Sequence, residues 1–302
     1  MGSVREVAFR SGDVELAGTL VVPDGGGPGV VMVGGSGPSD RDNDTHFPPV
    51  KRRLAAAGIA VLSYDKRGVG GSSGDWRDGT LDDLAADASA ALEFLRAQPG
   101  VGPVGLFGHS EGGWVVLRAA GSMAVPWVVT SGCPGMTPAE QDRYALERLL
   151  RRTPDAAPPD VAAGLALYDR LVEAGRRDAD HAGAQRLIAT SPPVFRDLFE
   201  RLWGEVDERL WSFTKRKQDH DPVPDLLALR CPLLALFGGS DELVPIAESV
   251  HVFAAAACHP GRDPRATLTV EVLPHANHRL LVDGHPAPGY LDTLTRWITT
   301  AR

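Results

Sequence analysis

A short apolar run, Pro103 to Phe107, leads through Gly108-His109-Ser110-Glu111-Gly112 directly into an apolar helical stretch, Gly112 to Ala120. The pentapeptide fits G-x-S-x-G, and a chain that leaves a strand and enters a helix within so few residues turns sharply with the serine at the apex. Such a turn strains the serine backbone and leaves room only for small neighbours, which Gly108 and Gly112 supply. In a chain with 34 glycines the pentapeptide alone arises readily by chance, and a Gly-rich turn with a surface serine would read the same. The strand before it and the helix after it favour the functional reading, and Ser110 is the candidate nucleophile.

The rest of the chain repeats that alternation. Val4 to Phe9 and Leu16 to Val22 read as an antiparallel hairpin joined through Ser11-Gly12-Asp13. Apolar runs at Val30–Val33, Ile59–Ser63, Val104–Phe107, Trp127–Thr130, Leu233–Phe237 and Leu268–Leu273 then alternate with helical stretches, which implies an α/β fold with a mostly parallel sheet. The clearest helix is Leu81 to Leu95, with one apolar face, Thr80 as its N-cap and Asp83 near the positive end of its dipole. Between Pro134 and Asp225 no strand signal occurs. Ala139–Arg152, Val161–Gly175, Ala182–Ala189 and Val194–Leu202 read there as helices, so residues 134–225 form a helical insertion between two strands.

Composition narrows the function classes. The chain has 302 residues, long enough for one large α/β core or a core with a smaller insertion. Its net charge of −8 argues against nucleic acid or an anionic membrane as a main partner. No apolar run approaches the roughly 18 residues of a bilayer span, and the N-terminal segment lacks an apolar signal, so a cytoplasmic location is expected. Cys133, Cys231 and Cys258 are too scattered for a zinc site or a disulfide framework.

A serine hydroxyl needs a histidine to take its proton and a carboxylate to orient that histidine. Leu236-Phe237-Gly238-Gly239-Ser240-Asp241 places Asp241 just past a strand end, where it is the candidate acid. Two histidines, His275 and His278, follow the last strand and compete as the base, with a slight preference for His278. Their H-x-x-H spacing lacks the further ligands of a metal site, so neither a metal nor any other cofactor is expected. The developing oxyanion needs two backbone donors. One is the N–H of Glu111, next after the nucleophile. The other is expected from Gly34-Gly35-Ser36-Gly37, with Ser36 preferred and Gly35 as the alternative.

Asp40-Arg41-Asp42-Asn43-Asp44 imitates the start of a calcium loop, but Thr45 and Lys51 stand where that loop needs Gly and Glu. These charges are expected to pair with Lys66 and Arg67, to brace the preceding Gly-rich loop, or to remain solvated. Gly68-Val69-Gly70-Gly71-Ser72-Ser73-Gly74 has no nucleotide-binding spacing.

Taken in order, Leu16-Ala17-Gly18-Thr19-Leu20, Gly35-Ser36-Gly37-Pro38-Ser39-Asp40-Arg41-Asp42, Tyr64-Asp65-Lys66-Arg67-Gly68, Gly108-His109-Ser110-Glu111-Gly112-Gly113 and Asn277-His278 resemble the α/β-hydrolase superfamily, and more closely its bacterial serine esterases. The resemblance spans nearly all of the chain. It implies a core of residues 1–133 and 226–302, with a helical cap at 134–225. It also implies His278 as the base and an oxyanion hole formed by Ser36 and Glu111. One departure is Gly34-Gly35, where many relatives carry His-Gly. Tyr144, Tyr168, Phe195, Phe199, Trp203 and Trp211 are candidates for an apolar acyl site, with core packing an equal alternative. The expected partner is a small-molecule acyl substrate, and a homodimer is an admissible assembly. The resulting expectation is a cofactor-independent serine hydrolase acting on an ester or thioester of a small to medium apolar acyl group. A lyase, an acyl transferase or a cyclase on a specialised metabolite would use the same groups; a peptidase or a silent binding protein fits less well.

Overall fold

Strands buried on both faces must be apolar throughout, and the central runs of this chain have that composition. The computed structural model describes residues 3–154, 157–191, 195–196 and 206–301. Its main sheet contains β1 (Ser3–Ser11), β2 (Val14–Val22), β3 (Gly27–Val33), β4 (Ala60–Tyr64), β5 (Val101–His109), β6 (Val128–Ser131), β7 (Leu233–Gly238) and β8 (Leu268–Leu273). All eight strands expected from the sequence are present, in the spatial order β1-β2-β4-β3-β5-β6-β7-β8. β1 pairs antiparallel with β2, and β2 with β4. Every pairing from β4 to β8 is parallel.

Helices cover both faces. On one face α2 (Leu81–Arg96), α3 (Glu111–Ser122) and α9 (Ile246–Ala257) contribute Leu92, Val116 and Phe253 to a core shared with Leu62, Leu106 and Ala235. On the other, α1 (Phe47–Ala56) and α10 (Tyr290–Thr300) pack Phe47 and Leu294 against Val61, Phe107 and Leu234. Strand neighbours thus alternate between the two cores, as the period of two requires. Helix α2 begins where expected: the Thr80 hydroxyl accepts from the Asp83 N–H at 3.2 Å, and the Asp83 carboxylate accepts from the Thr80 N–H at 2.7 Å. This reciprocal cap contributes about 1 kcal/mol.

Between β6 and β7 the chain forms α4 (Pro138–Arg152), α5 (Pro158–Arg176), α6 (His181–Ala189), α7 (Glu208–Lys217) and α8 (Val223–Ala228). Leu146, Leu150, Leu167, Tyr168, Phe195 and Trp211 bury one another there in a separate apolar cluster. Most of the expected helix Val194–Leu202, together with Phe199 and Trp203, lies outside the described residues. Helix α7 has no counterpart in the sequence reading. It is fixed to the loop after β4 by charge: Arg77 meets Asp207 at 2.6 Å and Arg209 meets Asp75 at 2.9 Å.

The sheet order reverses at β3, since β4 lies on one side of it and β5 on the other. Loops leaving the carboxyl ends of β3 and β5 therefore diverge and leave a crevice, the usual place for a ligand in an open α/β sheet. Ser36 follows β3, Ser110 and Glu111 follow β5, Asp241 follows β7 and His278 follows β8, all at carboxyl ends of strands in the parallel part of the sheet.

Candidate active site

Ser110 sits between β5 and α3 with φ 54° and ψ −123°, a conformation that costs a non-glycine residue about 1–3 kcal/mol. The surroundings enforce it. A Cβ on Gly108 would come within 2.1 Å of the Gly112 carbonyl oxygen, and one on Gly112 within 2.4 Å of the Val33 carbonyl oxygen. The Ser110 N–H donates to the Ser131 carbonyl at the end of β6, at 2.8 Å. Strain and close packing together fix the Ser110 backbone at the carboxyl end of β5.

Past β7, Asp241 is buried, and its Oδ1 accepts from the backbone N–H groups of Leu243 at 2.8 Å and Val244 at 3.0 Å. Its Oδ2 lies 2.7 Å from Nδ1 of His278. Of the two competing histidines, the structure brings His278 to the acid. His275 stays exposed at the strand exit with φ 60°. Asn277 shapes the turn that makes the difference, because its Oδ1 accepts from the N–H groups of Arg279 and Leu281. The His278 ring then packs against Gly132, where a Cβ would lie 3.1 Å from its Cε1. Gly132 follows Ser131, the residue that holds Ser110. No hydrogen bond joins the Ser110 hydroxyl to His278 among the described residues; such contacts commonly tighten only when substrate binds.

Behind His278 lie two further rings that sequence reasoning did not single out. His109 is 4.9 Å from His278 between ring centroids, and His46 is 4.4 Å from His109. Burial, reinforced by the charges of His278 and Arg279, pushes His46 down to about 3, and burial with the neighbouring rings holds His109 well below the usual histidine range. Both are therefore neutral packing surfaces behind the candidate base.

The loop after β3 touches Ser110 directly: a Cβ on Gly35 would lie 3.3 Å from Cβ of Ser110. The Gly35 N–H already donates to Oδ1 of Asn43 at 3.2 Å. That of Ser36 has no partner among the turn and loop hydrogen bonds of the described residues. The Glu111 N–H, in the first turn of α3, has no intrahelical acceptor. The Glu111 side chain is unexpected, since it is a fully buried carboxylate. Lys66 reaches it at 2.9 Å, Lys217 at 2.6 Å and the Ser36 hydroxyl at 3.2 Å. Burial alone would raise this carboxyl, but the charges of Lys217 and Lys66 override that and hold it well below the usual carboxylate range.

The charges of the acidic loop do not pair with Lys66 or Arg67, one of the roles expected of them. Arg41 makes a two-pronged contact with Asp65, at 3.0 Å and 2.7 Å, while Lys51 binds Asp42 and Arg279 binds Asp44. Arg67 binds Asp87 instead, at 2.7 Å. Cys133 is buried with its thiol pushed up by burial, and its side chain fills the space beside Gly113, a packing role. Tyr168, Phe195 and Trp211 belong to the apolar cluster of the inserted helices, while Tyr144 lies beside the Arg148 guanidinium. Tyr168 and Trp211 also line a cavity with Leu171, Ile188, Leu210 and Lys217. Among the described residues no group of three or more His, Cys, Asp or Glu side chains is placed to hold a metal, and no helix is long and apolar enough to cross a membrane.

A family model described as the alpha/beta hydrolase family matches residues 30–291. The chain belongs to that family. A thiohydrolase of Arthrinium phaeospermum is 33% identical over 286 residues, covering 86% of this chain and 87% of its own. An esterase of Thermotoga maritima is 30% identical over 235 residues, which is 76% of this chain but 50% of the relative. The solved esterase of Pyrococcus furiosus superposes with a TM-score of 0.65 at 18% identity, covering 99% of this chain and 91% of that one. At that identity the last comparison speaks to the fold, and it matches the sheet and helix layers described above.

Proposed function

We propose that this alpha/beta hydrolase is a cofactor-independent serine hydrolase that cleaves an ester or thioester of a small to medium apolar acyl group. The observation that carries the reading is the 2.7 Å contact between Asp241 and His278, whose ring packs on Gly132, next to the Ser131 that bonds the strained Ser110. In this reading Asp241 fixes the proton of His278 on Nδ1, leaving Nε2 bare to take the Ser110 proton as the hydroxyl attacks the acyl carbon. The N–H groups of Ser36 and Glu111 receive the oxyanion. With its own N–H committed to Asn43, Gly35 is the weaker alternative. His278 then protonates the leaving group, and as general base activates the water that releases the acyl-enzyme.

The sequence carriers of this reading are the Gly-Ser-Gly-Pro loop at residues 35–38 and the Gly-His-Ser-Glu-Gly-Gly turn at 108–113, as in bacterial serine esterases. Residues 134–225 would serve as a cap over a core made of 1–133 and 226–302. Its cavity, with Tyr168 and Trp211 in its lining, suits an apolar acyl chain. The names of the two relatives, a thiohydrolase and an esterase, support both leaving-group classes.

The test is hydrolysis of p-nitrophenyl esters of increasing acyl length by wild type and by Ser110→Ala at neutral pH. Turnover by wild type that is lost in the variant supports an esterase, and the length preference sizes the pocket. Equal, background rates in both would set aside generic ester hydrolysis and favour elimination or acyl transfer by the same groups.

A further inference from the structure

The mechanism above uses only the backbone of Glu111, yet its side chain is a buried carboxylate bonded to two lysines and to Ser36. A carboxylate that is 1% exposed is costly to bury unless its charge is matched and its oxygens are hydrogen-bonded. Here both oxygens are satisfied. Oε1 accepts from Lys66 at 2.9 Å, and Oε2 accepts from Lys217 at 2.6 Å and from the Ser36 hydroxyl at 3.2 Å. The two residues whose N–H groups are the candidate oxyanion donors are therefore joined side chain to side chain.

Lys66 does more than neutralise Glu111. Its ammonium also donates to the Gly35 carbonyl at 2.6 Å. In a trans peptide the C=O of one residue and the N–H of the next point in opposite directions, so drawing the Gly35 carbonyl toward Lys66 turns the Ser36 N–H away from it. On the other side of Gly35, the N–H is held by Asn43. The peptide that carries the Ser36 donor thus cannot rotate without breaking a buried charge-assisted bond. Lys66 is itself 7% exposed, with the Trp76 ring 5.8 Å from its ammonium, which leaves the group little freedom to swing elsewhere. Lys217 reaches Glu111 from the end of α7, a helix held on the loop at 75–79 by its own ion pairs and by Arg216, which donates to the Gly79 carbonyl at 3.1 Å.

We propose that Lys66 and Lys217 are positioning residues which, through the buried Glu111 carboxylate and the Gly35 carbonyl, aim the Ser36 and Glu111 N–H groups at a common point. Neither lysine touches the reacting atoms. Their effect is to remove reorganisation from the donors, so that the stabilisation they give the oxyanion is available at once. Loss of either should weaken transition-state stabilisation, and loss of Lys66, which lies outside the lining of the cavity above, should leave substrate binding nearly unchanged.

This inference rests on Ser110 as the nucleophile, and the experiment separates the two. Full-length wild type, Lys66→Met, Lys217→Met, Lys217→Arg and Ser36→Ala are treated with an alkyl fluorophosphonate. Its attack by a serine builds negative charge on a phosphoryl oxygen and expels fluoride. Labelling of Ser110 is followed by intact mass against probe concentration, giving the saturating rate and the half-saturating concentration separately. Lys215→Met is the control, because it removes a positive charge from the same helix at a residue that bonds Asp178 instead.

Deleting an oxyanion donor outright slows catalysis by about 100- to 1,000-fold, so misaiming one in Lys66→Met should slow labelling by about 10- to 100-fold. Lys217→Met and Ser36→Ala should slow it by about 3- to 10-fold, with half-saturation within twofold in Lys66→Met and Ser36→Ala and with Lys217→Arg close to wild type. If wild type is labelled and the folded Lys66→Met variant keeps its saturating rate within twofold, or changes only the half-saturating concentration, the positioning role is refuted while the nucleophile stands. If Lys66→Met does not fold, Ser36→Ala decides by the same criterion and Lys217→Met by its saturating rate alone. If wild type is not labelled at Ser110, the nucleophile reading falls and this inference falls with it.

Discussion

Replacing Asp241 by Asn should be more damaging than replacing it by Ala, and the reason lies in which hydrogen bonds the carboxylate already makes. Oδ1 accepts two backbone N–H groups, from Leu243 at 2.8 Å and Val244 at 3.0 Å, and Oδ2 faces Nδ1 of His278 at 2.7 Å. An Asn amide can turn either its oxygen or its nitrogen toward those two N–H groups. Turning the nitrogen sets donors against donors and forfeits two bonds, at about 1.5 kcal/mol or more each, so under about 1% of molecules would hold that orientation. In the rest the Asn NH2 faces His278, which must then present a bare Nδ1 and carry its proton on Nε2. That tautomer cannot accept the Ser110 proton. The tautomer alone thus costs about 100-fold, and the lost charge-assisted bond to the imidazolium adds about 10- to 100-fold. The expected fall in kcat is about 1,000- to 10,000-fold, or roughly 4–5.5 kcal/mol. Asp241→Ala removes the carboxylate without imposing the wrong tautomer and should retain more activity than Asp241→Asn. The assay is kcat on the best p-nitrophenyl ester between pH 6 and 9, with Ser110→Ala as the floor and circular dichroism to establish folding. A folded Asp241→Asn enzyme within tenfold of wild type, or one more active than Asp241→Ala, would refute the claim that Asp241 sets the His278 tautomer.

Two other perturbations test the frame of the site. Gly108→Ala places a Cβ 2.1 Å from the Gly112 carbonyl oxygen and 2.4 Å from its carbon, both backbone atoms with no room to yield. Urea unfolding should show a loss of about 3 kcal/mol or more, and a loss under 1 kcal/mol would mean that the turn is looser than described. His46, held down to about 3 chiefly by burial, stays neutral in the folded protein, whereas an unfolded histidine takes a proton below about 6.5. The unfolded state therefore binds the extra proton, and this residue withdraws about 1.4 kcal/mol of stability per pH unit as the pH falls from about 6 toward 4. His46→Leu should accordingly lose less stability than wild type between pH 6 and pH 5, by about 1.2 kcal/mol in the difference of urea unfolding energies. Parallel losses in the two proteins would show that His46 is protonated in the folded state.

The strands and the order of the candidate groups were legible because both leave local marks. A strand buried on two faces is a short apolar run, as in Leu233–Phe237, and a group at a strand exit follows such a run within a few residues, as Asp241 does. Side-chain partners leave no such mark. Pairing with Lys66 and Arg67 was one of the roles expected of Asp42 and Asp44, beside bracing the Gly-rich loop or remaining solvated, yet their partners are Lys51 on α1 and Arg279 beside the candidate base. Those pairings depend on which strand ends are neighbours in the sheet, which no local pattern encodes. Helix α7 escaped notice for a related reason. Its buried residues are Trp211 and Phe213, too few for an apolar stripe, and it is held at its start by ion pairs to a loop about 130 residues earlier. The choice between His275 and His278 turned on backbone conformation and on the Asn277 cap, neither of which the H-x-x-H spacing distinguishes.

Glu111 shows where a sharper sequence argument was available. The position after Ser110 begins a helix that packs on the sheet, so its side chain is confined between the loop after β3 and whatever covers the crevice. A carboxylate placed there must either be protonated or find cations, because burial without a partner costs several kcal/mol. Lys66, two residues past the end of β4, lies at the same edge of the sheet as the β3 loop and the nucleophile turn, and could have been named as one partner from topology alone. Lys217 could not, since its helix was not recognised. The charge at position 111 is thus as informative as the serine beside it: a small apolar residue there would leave the two lysines unmatched and the Gly35 and Ser36 peptides without their common anchor.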